Sequence, residues 1–367
     1  MEREETVDLF LSLVSIDSPS GNEEKMREKL SSLLAPLGCA PKVDDAGNML
    51  FTIPGTLPGV RLFSAHMDTV EPGRNIKVLI GEDGVIRSDG RSVLGADDKD
   101  GITAIISALY RLKEEELPHP TLELLFTSGE EKCLSGSTRL QSSFITARHG
   151  WVFDGPGAPG TIYANGVGKI GFELKIKGKA AHAGIAPEKG INAFMLAAEG
   201  MQKFPPGRRE NSTVNYGIIS GGQADNIVPE QVTLTGEIRS SDSERLQQLT
   251  CELRAVWGST TEITLKGGYP SYEEKDASFL EWTKKIFEEK GISPEIKRFS
   301  AGSDANHLAR IGLHVCLLAM GRSDNHSCAE STRAEFIETM SDVAFRIMTC
   351  QDIKLNNKET DHVKKKF

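Results

Sequence analysis

The 367 residues are 38% hydrophobic and 26% charged, which excludes a disordered chain and leaves room for a sizeable core and two domains. The net charge of −9 argues against nucleic acid as the main partner without excluding an anionic substrate. The opening MEREETVDLFLSLVS carries charges where an export signal needs an apolar core, and no apolar run approaches a membrane span, so no membrane partner is expected. The six cysteines are scattered without a CxxC pair; reduced thiols in the cytoplasm are the expectation, with Cys133 in a packing role. The tail DHVKKKF reads as a solvated, frayed end.

A first helix is predicted over Glu5 to Val14. Asn22, followed by Glu23 and Glu24, reads as the cap of a second helix ending near Leu34. Short β-like runs follow at Met49 to Ile53 and at Arg61 to Ala65, the latter leading into His66. Ile102 to Leu112 has helical spacing, and Thr121 to Thr127 is a strand leading into Glu130 and Glu131. Trp151 to Phe153 leads into Asp154, and His314 to Met320 into a loop carrying His326. Strands alternating with helices predict an α/β sheet, with candidate ligands gathered past the carboxyl ends of its strands. From about Gly166 to Gly268 the order changes: strand Lys169 to Lys177, helix Asn192 to Gln202, strands Val214 to Ser220 and Gln231 to Arg239, helix Ser243 to Val256, and strand Glu262 to Lys266. This β-α-β-β-α-β order predicts a ferredoxin-like insert. The expected domains are residues 1–166 and 269–367, forming one catalytic unit, and the inserted 167–268.

Five side chains read as candidate metal ligands: His66 in FSAHMDTV, Asp97 in GADDKDG, Glu131 in TSGEEKC, Asp154 in WVFDGPG and His326 in SDNHS. Carboxylate oxygens with imidazole nitrogens suit zinc, with cobalt or manganese as alternatives, and three carboxylates plus a hydroxide balance two divalent cations. His66 and Asp68, two apart at a strand end, share a face, so Asp68 is expected to hold the second ring nitrogen of His66. Taken alone, HxD is an ordinary strand end and Asp97 an ordinary helix N-cap. As a ligand, Asp97 would offer one oxygen to each of two metals. Glu130 and Glu131 are adjacent and should diverge, so that one binds metal while the other carries protons. Glu130 is assigned as the general base.

HMDTV, GADDKDG, GEE, FDG, AHAG and a late histidine together resemble the peptidase T branch of the di-zinc exopeptidases, relatives of carboxypeptidase G and succinyl-diaminopimelate desuccinylase. The similarity runs over nearly the whole chain. It implies a catalytic domain with a mixed central sheet flanked by helices, plus a ferredoxin-like α+β lid and dimerisation domain. It implies that His66 and Asp154 share one zinc, that Asp97 bridges, that Glu131 and His326 hold the second, and that Glu130 acts on a metal-bridging water. A cis peptide after Asp97 is also implied. Within GKAAHAGIAPEKGINA, His182 matches the histidine that in relatives stabilises the oxyanion in a neighbouring active site. SGGQADNIVPE and GEIR resemble a substrate-holding segment, which makes Asn226 and Arg239 candidates, Arg239 for a free carboxylate. Gly302, Ser303 and Asn306 resemble another substrate-facing stretch, where the glycine would let peptide backbone approach. Taken alone, these are turn, surface or helix-start residues; His307 and His314 match no ligand motif. Relatives often follow the last histidine with a threonine-proline-acid turn, whereas this chain has Ser327-Cys328-Ala329-Glu330.

The expected function is zinc-dependent hydrolysis of short peptides, most like a tripeptide aminopeptidase, by a cytoplasmic homodimer. An N-acyl amino acid deacylase or a dipeptidase on the same scaffold is the alternative, since fold does not settle substrate. A binding protein that kept the fold and lost its chemistry ranks below catalysis, because no ligand is missing. An aminopeptidase of larger assembly with another insert conflicts with the AHAG motif.

Overall fold

The computed structural model describes residues 3–258 and 261–350, and the expectation for the DHVKKKF tail lies outside them. The chain divides into two compact units. One comprises residues up to Ala164, Glu274–Arg298 and the chain from Ser303 onward; the other comprises Asn165–Glu273 with Phe299–Gly302.

The first unit is built on an eight-stranded mixed sheet. Its spatial order is Lys42–Val43, Met49–Ile53, Pro120–Thr127, Leu57–His66, His149–Gly155, His314–Ala319, Thr161–Tyr163 and Glu295–Lys297. The four central strands run parallel: Phe63 pairs with Leu124 on one side and Trp151 on the other, and Cys316 pairs with Trp151. Their near-continuous apolar runs are buried, as parallel strands covered on both faces require. Helix Ala96–Glu114 packs on Leu57–His66 and against helix Ala334–Thr349, whose apolar stripe includes Ile337, Met340, Val343, Ala344 and Ile347. A small antiparallel sheet joins Val78–Ile80, Val85–Ser88 and Ser331–Arg333, so that the segment after His326 ends paired with Val85–Ser88.

Parallel strands aligned in register end at one edge, and that edge carries the candidate ligands. His66 closes its strand, Asp154 is the penultimate residue of His149–Gly155, and Glu130 and Glu131 follow Thr127 after Ser128 and Gly129. The second helix differs from expectation at its start. Its N-cap is Glu23 rather than Asn22, without a side-chain cap bond, because the Glu23 carboxylate accepts N–H groups of Gly21 and Gly129 instead. The third helix begins at Ala96, earlier than the apolar spacing predicts, through non-helical backbone at Asp97 and Asp98. The peptide bond between these two residues is cis.

The second unit is a five-stranded antiparallel sheet in the order Gly207–Arg209, Ser212–Gly221, Gln231–Ser240, Gly168–Lys177, Thr261–Tyr269. Without the short first strand this is the ferredoxin-like order. Helices Ala193–Lys203 and Ser243–Trp257 cover a core of Phe172, Leu174, Val232, Leu234, Leu249 and Leu253. Asn192 and Asp242 cap the two helices, each carboxyl or amide oxygen accepting two backbone N–H groups. The unit extends beyond the 167–268 read from sequence because Tyr272–Glu273 pairs with Asn165–Gly166 and Val167 donates to Ala301 O.

Candidate metal centre

Asp97 is shared between two clusters. Its Oδ1 lies 3.0 Å from His66 Nε2, which is itself 3.6 Å from Asp154 Oδ1. Its Oδ2 lies 3.5 Å from His326 Nε2, which is 2.8 Å from Glu131 Oε1. One carboxylate therefore turns an oxygen toward each of two histidine–carboxylate sets: His66, Asp97 and Asp154 on one side, Asp97, Glu131 and His326 on the other. The donors fit divalent zinc in kind. The fit has an independent mark: Glu131 Oε1 is buried without a properly aligned hydrogen-bond partner although His326 Nε2 stands 2.8 Å away. An oxygen and a ring nitrogen so placed suit one shared cation.

The supports of these side chains are equally specific. His66 Nδ1 faces the backbone carbonyl of Asp68 at 2.9 Å and its carboxylate at 3.5 Å, so the nearer group holding the ring tautomer is the carbonyl, not the expected carboxylate. The Asp68 carboxylate mainly holds the next turn: Oδ1 accepts Glu130 N–H at 2.9 Å, and Oδ2 accepts Glu131 N–H at 3.2 Å and the Ser20 hydroxyl at 2.6 Å. Burial raises this carboxyl, but the His66 and Ser20 contacts outweigh it and leave Asp68 below its usual range. Glu330, 1% exposed, accepts Gly95 N–H at 2.8 Å and Asp97 N–H at 2.9 Å, which fixes the loop that presents Asp97. Asn325 donates to Asp97 Oδ2 at 2.8 Å.

Carboxylates crowd this edge of the sheet. Burial first, and the neighbouring Asp154 next, push Glu130 well above the usual carboxyl range. Asp98 is raised for the same reasons, and burial pushes Asp100 up to about 8 and Asp304 to about 6. Asp97 and Glu131 hold a proton on His326 up to about 10.

The sequence does not single out Arg322, yet its side chain is fully buried and its guanidinium reaches both Asp97 and Asp154. It sits with Asn325, His326 and Glu330 on one loop beyond strand His314–Ala319. The available signal is three charges, Arg322, Asp324 and Glu330, in a short segment at the carboxyl end of a buried strand.

Other expected residues belong to neither histidine–carboxylate set. His182 and Asn226 are exposed in the second unit on adjoining loops, where His182 bridges to Ile227 and Ala183 N–H donates to Asn226 O. Arg239, in the same unit, forms a two-pronged contact with Glu237 at 2.7 and 3.3 Å. Gly302 lies against Tyr269, where a Cβ would come within 2.1 Å of the ring, so close packing by Tyr269 itself calls for a glycine here. Ser303 and Asn306 are buried at a helix start, with Asn306 Oδ1 accepting Ser303 N–H at 3.0 Å. His307 is buried beside Thr138, and His314 Nδ1 lies 2.9 Å from Glu274.

Two family models match the chain: a peptidase dimerisation domain over residues 167–263 and peptidase family M28 over residues 48–161. A Bacillus subtilis (strain 168) protein of uncharacterised function, YqjE, is 34% identical over 92% of this chain and 96% of its own length. The crystal structure of aminopeptidase PepT from Bacillus cereus is 33% identical with a TM-score of 0.88, covering 95% of this chain and 98% of that one. A tripeptidase from Staphylococcus aureus is 30% identical with a TM-score of 0.89, with the same coverage.

Proposed function

From the premise that the chain belongs to the peptidase T-like branch of the M20/M28 zinc exopeptidases, we propose that it removes the first residue from short peptides, tripeptides foremost. The observation that carries the reading is the shared carboxylate of Asp97 between two histidine–carboxylate sets. His66, Asp97 and Asp154 would hold one zinc ion and Asp97, Glu131 and His326 the other, with cobalt or manganese as substitutes. When bound, such ions polarise a peptide carbonyl and acidify water.

The chain's own groups then handle protons and position. Glu130, buried and raised, takes a proton as water oxygen forms a bond to the carbonyl carbon. It delivers that proton to the departing amine nitrogen as the C–N bond breaks. Asp68 keeps Glu130 and Glu131 in place through their backbone N–H groups. His182 is the proposed oxyanion donor, acting in a partner's site, and Asn226 and Arg239 are proposed to hold the substrate's polar ends. Homodimer formation is supported by the dimerisation-domain match and by exposed Phe194, Met195, Ile218 and Ile219 in the same unit. No helix among the described residues is long and apolar enough to cross a membrane; a cytoplasmic enzyme is the proposal.

A mass-spectrometric cleavage screen of the zinc-loaded protein tests this. Chelator-sensitive removal of the first residue from free tripeptides is the expected result. Cleavage confined to N-acyl amino acids, or to dipeptides, would replace the substrate reading. Glu130→Gln should keep its zinc and lose turnover by about 10²–10⁴-fold; full turnover in that variant refutes the base assignment.

A further inference from the structure

Zinc binding as described above makes no use of Arg322. Its side chain is fully buried, and its guanidinium spreads over four aspartates. Nη1 donates to Asp97 Oδ1, and Nη2 donates to Asp154 Oδ1 at 3.0 Å. The group also lies 3.5 Å from Asp98 Oδ1 and 3.7 Å from Asp100 Oδ2. The two oxygens that it bonds are those facing His66 Nε2. The other half has no permanent cation among its described contacts: Asp97 Oδ2 receives the neutral Asn325 amide, and Glu131 Oε1 and His326 Nε2 converge beside it.

We propose that Arg322 is a built-in cation that makes the two halves of the metal centre unequal. The Asp97–Glu131–His326 half holds zinc tightly, whereas the His66–Asp97–Asp154 half takes a second zinc only against Arg322. The inference rests on the metallopeptidase reading above. Guanidinium stays protonated at any working pH, so its charge cannot be removed to admit a metal. It engages the lone pairs that a zinc ion would need on that side and repels a divalent ion, and the buried setting strengthens both effects. Asp98 and Asp100 keep the guanidinium partnered while it yields, so loading shifts Arg322 rather than expelling it.

The test is zinc titration of the full-length metal-free protein against a competing chromogenic chelator, with zinc content measured after gel filtration. The wild type should show two steps, the second weaker by about tenfold or more. Arg322→Met should bring the steps together by about tenfold or more, and Arg322→Lys should keep most of the gap. His326→Ala should lose the tight step, whereas Asp154→Asn should keep it. Two equal tight equivalents in the wild type, or an unchanged gap in Arg322→Met, overturn this inference alone. A wild type that binds no zinc overturns the metallopeptidase reading as well. Should Arg322→Met fail to fold, the His326→Ala and Asp154→Asn pair decides: loss of the tight step in Asp154→Asn and its retention in His326→Ala refutes the inference.

Discussion

Replacing Glu330 should damage the centre without touching a ligand. The carboxylate is 1% exposed, and its two oxygens each accept one backbone N–H, from Gly95 at 2.8 Å and Asp97 at 2.9 Å. Glu330→Ala leaves both donors buried without an acceptor, at about 1–3 kcal/mol apiece, so a loss of about 2–6 kcal/mol is expected. That is a large share of the stability of an ordinary domain. Glu330→Gln keeps one acceptor but turns an NH₂ group toward the other N–H, so its loss should be about half as large. Because the freed segment presents Asp97, which faces both halves of the centre, zinc affinity should fall by about 10–100-fold in Glu330→Ala, with a smaller fall in Glu330→Gln. Urea unfolding of the metal-free protein gives the first quantity and chelator competition the second. An alanine variant with wild-type unfolding midpoint and wild-type zinc affinity would refute the assignment of Glu330 as the anchor of this loop.

Burial, with His314 beside it, pushes His149 down to about 4, so the fold holds this ring neutral. Unfolding then takes up a proton, and stability falls as pH drops from about 6.5 toward about 4. His149→Phe should show a smaller fall over that window when urea midpoints are compared at about pH 7 and about pH 4.5; equal falls sink the idea. In the second unit, a Cβ at Gly200 would come within 2.3 Å of the Trp257 ring. Gly200→Ala should therefore cost about 1–3 kcal/mol by overpacking, partly recovered by adding Trp257→Phe. Lack of recovery in the double variant would place the strain elsewhere.

Most elements were legible because the burial they need is simple. The apolar runs Met49–Ile53 and Thr121–Thr127 are strands covered on both faces, and the change of rhythm after Gly166 marks a separate antiparallel sheet. Four of the five proposed metal ligands, His66, Glu131, Asp154 and His326, follow or end a buried apolar strand, which is the pattern that singles them out in the sequence. The start of the helix after Gly95 is not legible in apolar spacing, because Asp97 and Asp98 leave helical backbone, a tertiary demand that such spacing does not register. Glu23 displaced Asn22 as N-cap because its carboxylate has a more distant partner in Gly129. Arg322 and Glu330 were illegible because a charge in a loop reads as solvated. The pairing of Ser331–Arg333 with Val85–Ser88 ties the end of that loop into the unit, with Glu330 folded inward beside it.

Chain order and spatial order in the first unit differ in a way that matters during synthesis. His66, Asp97, Glu131 and Asp154 emerge early, but strand His314–Ala319 pairs beside His149–Gly155 and leaves the ribosome only after the entire second unit. Until then the half-built sheet exposes an edge, and its carboxylates lack both His326 and the guanidinium of Arg322. A nascent chain therefore holds four of its five metal-ligand candidates before the fifth, His326, is made. The candidate set is completed only when the segment carrying Arg322 and His326 has been made.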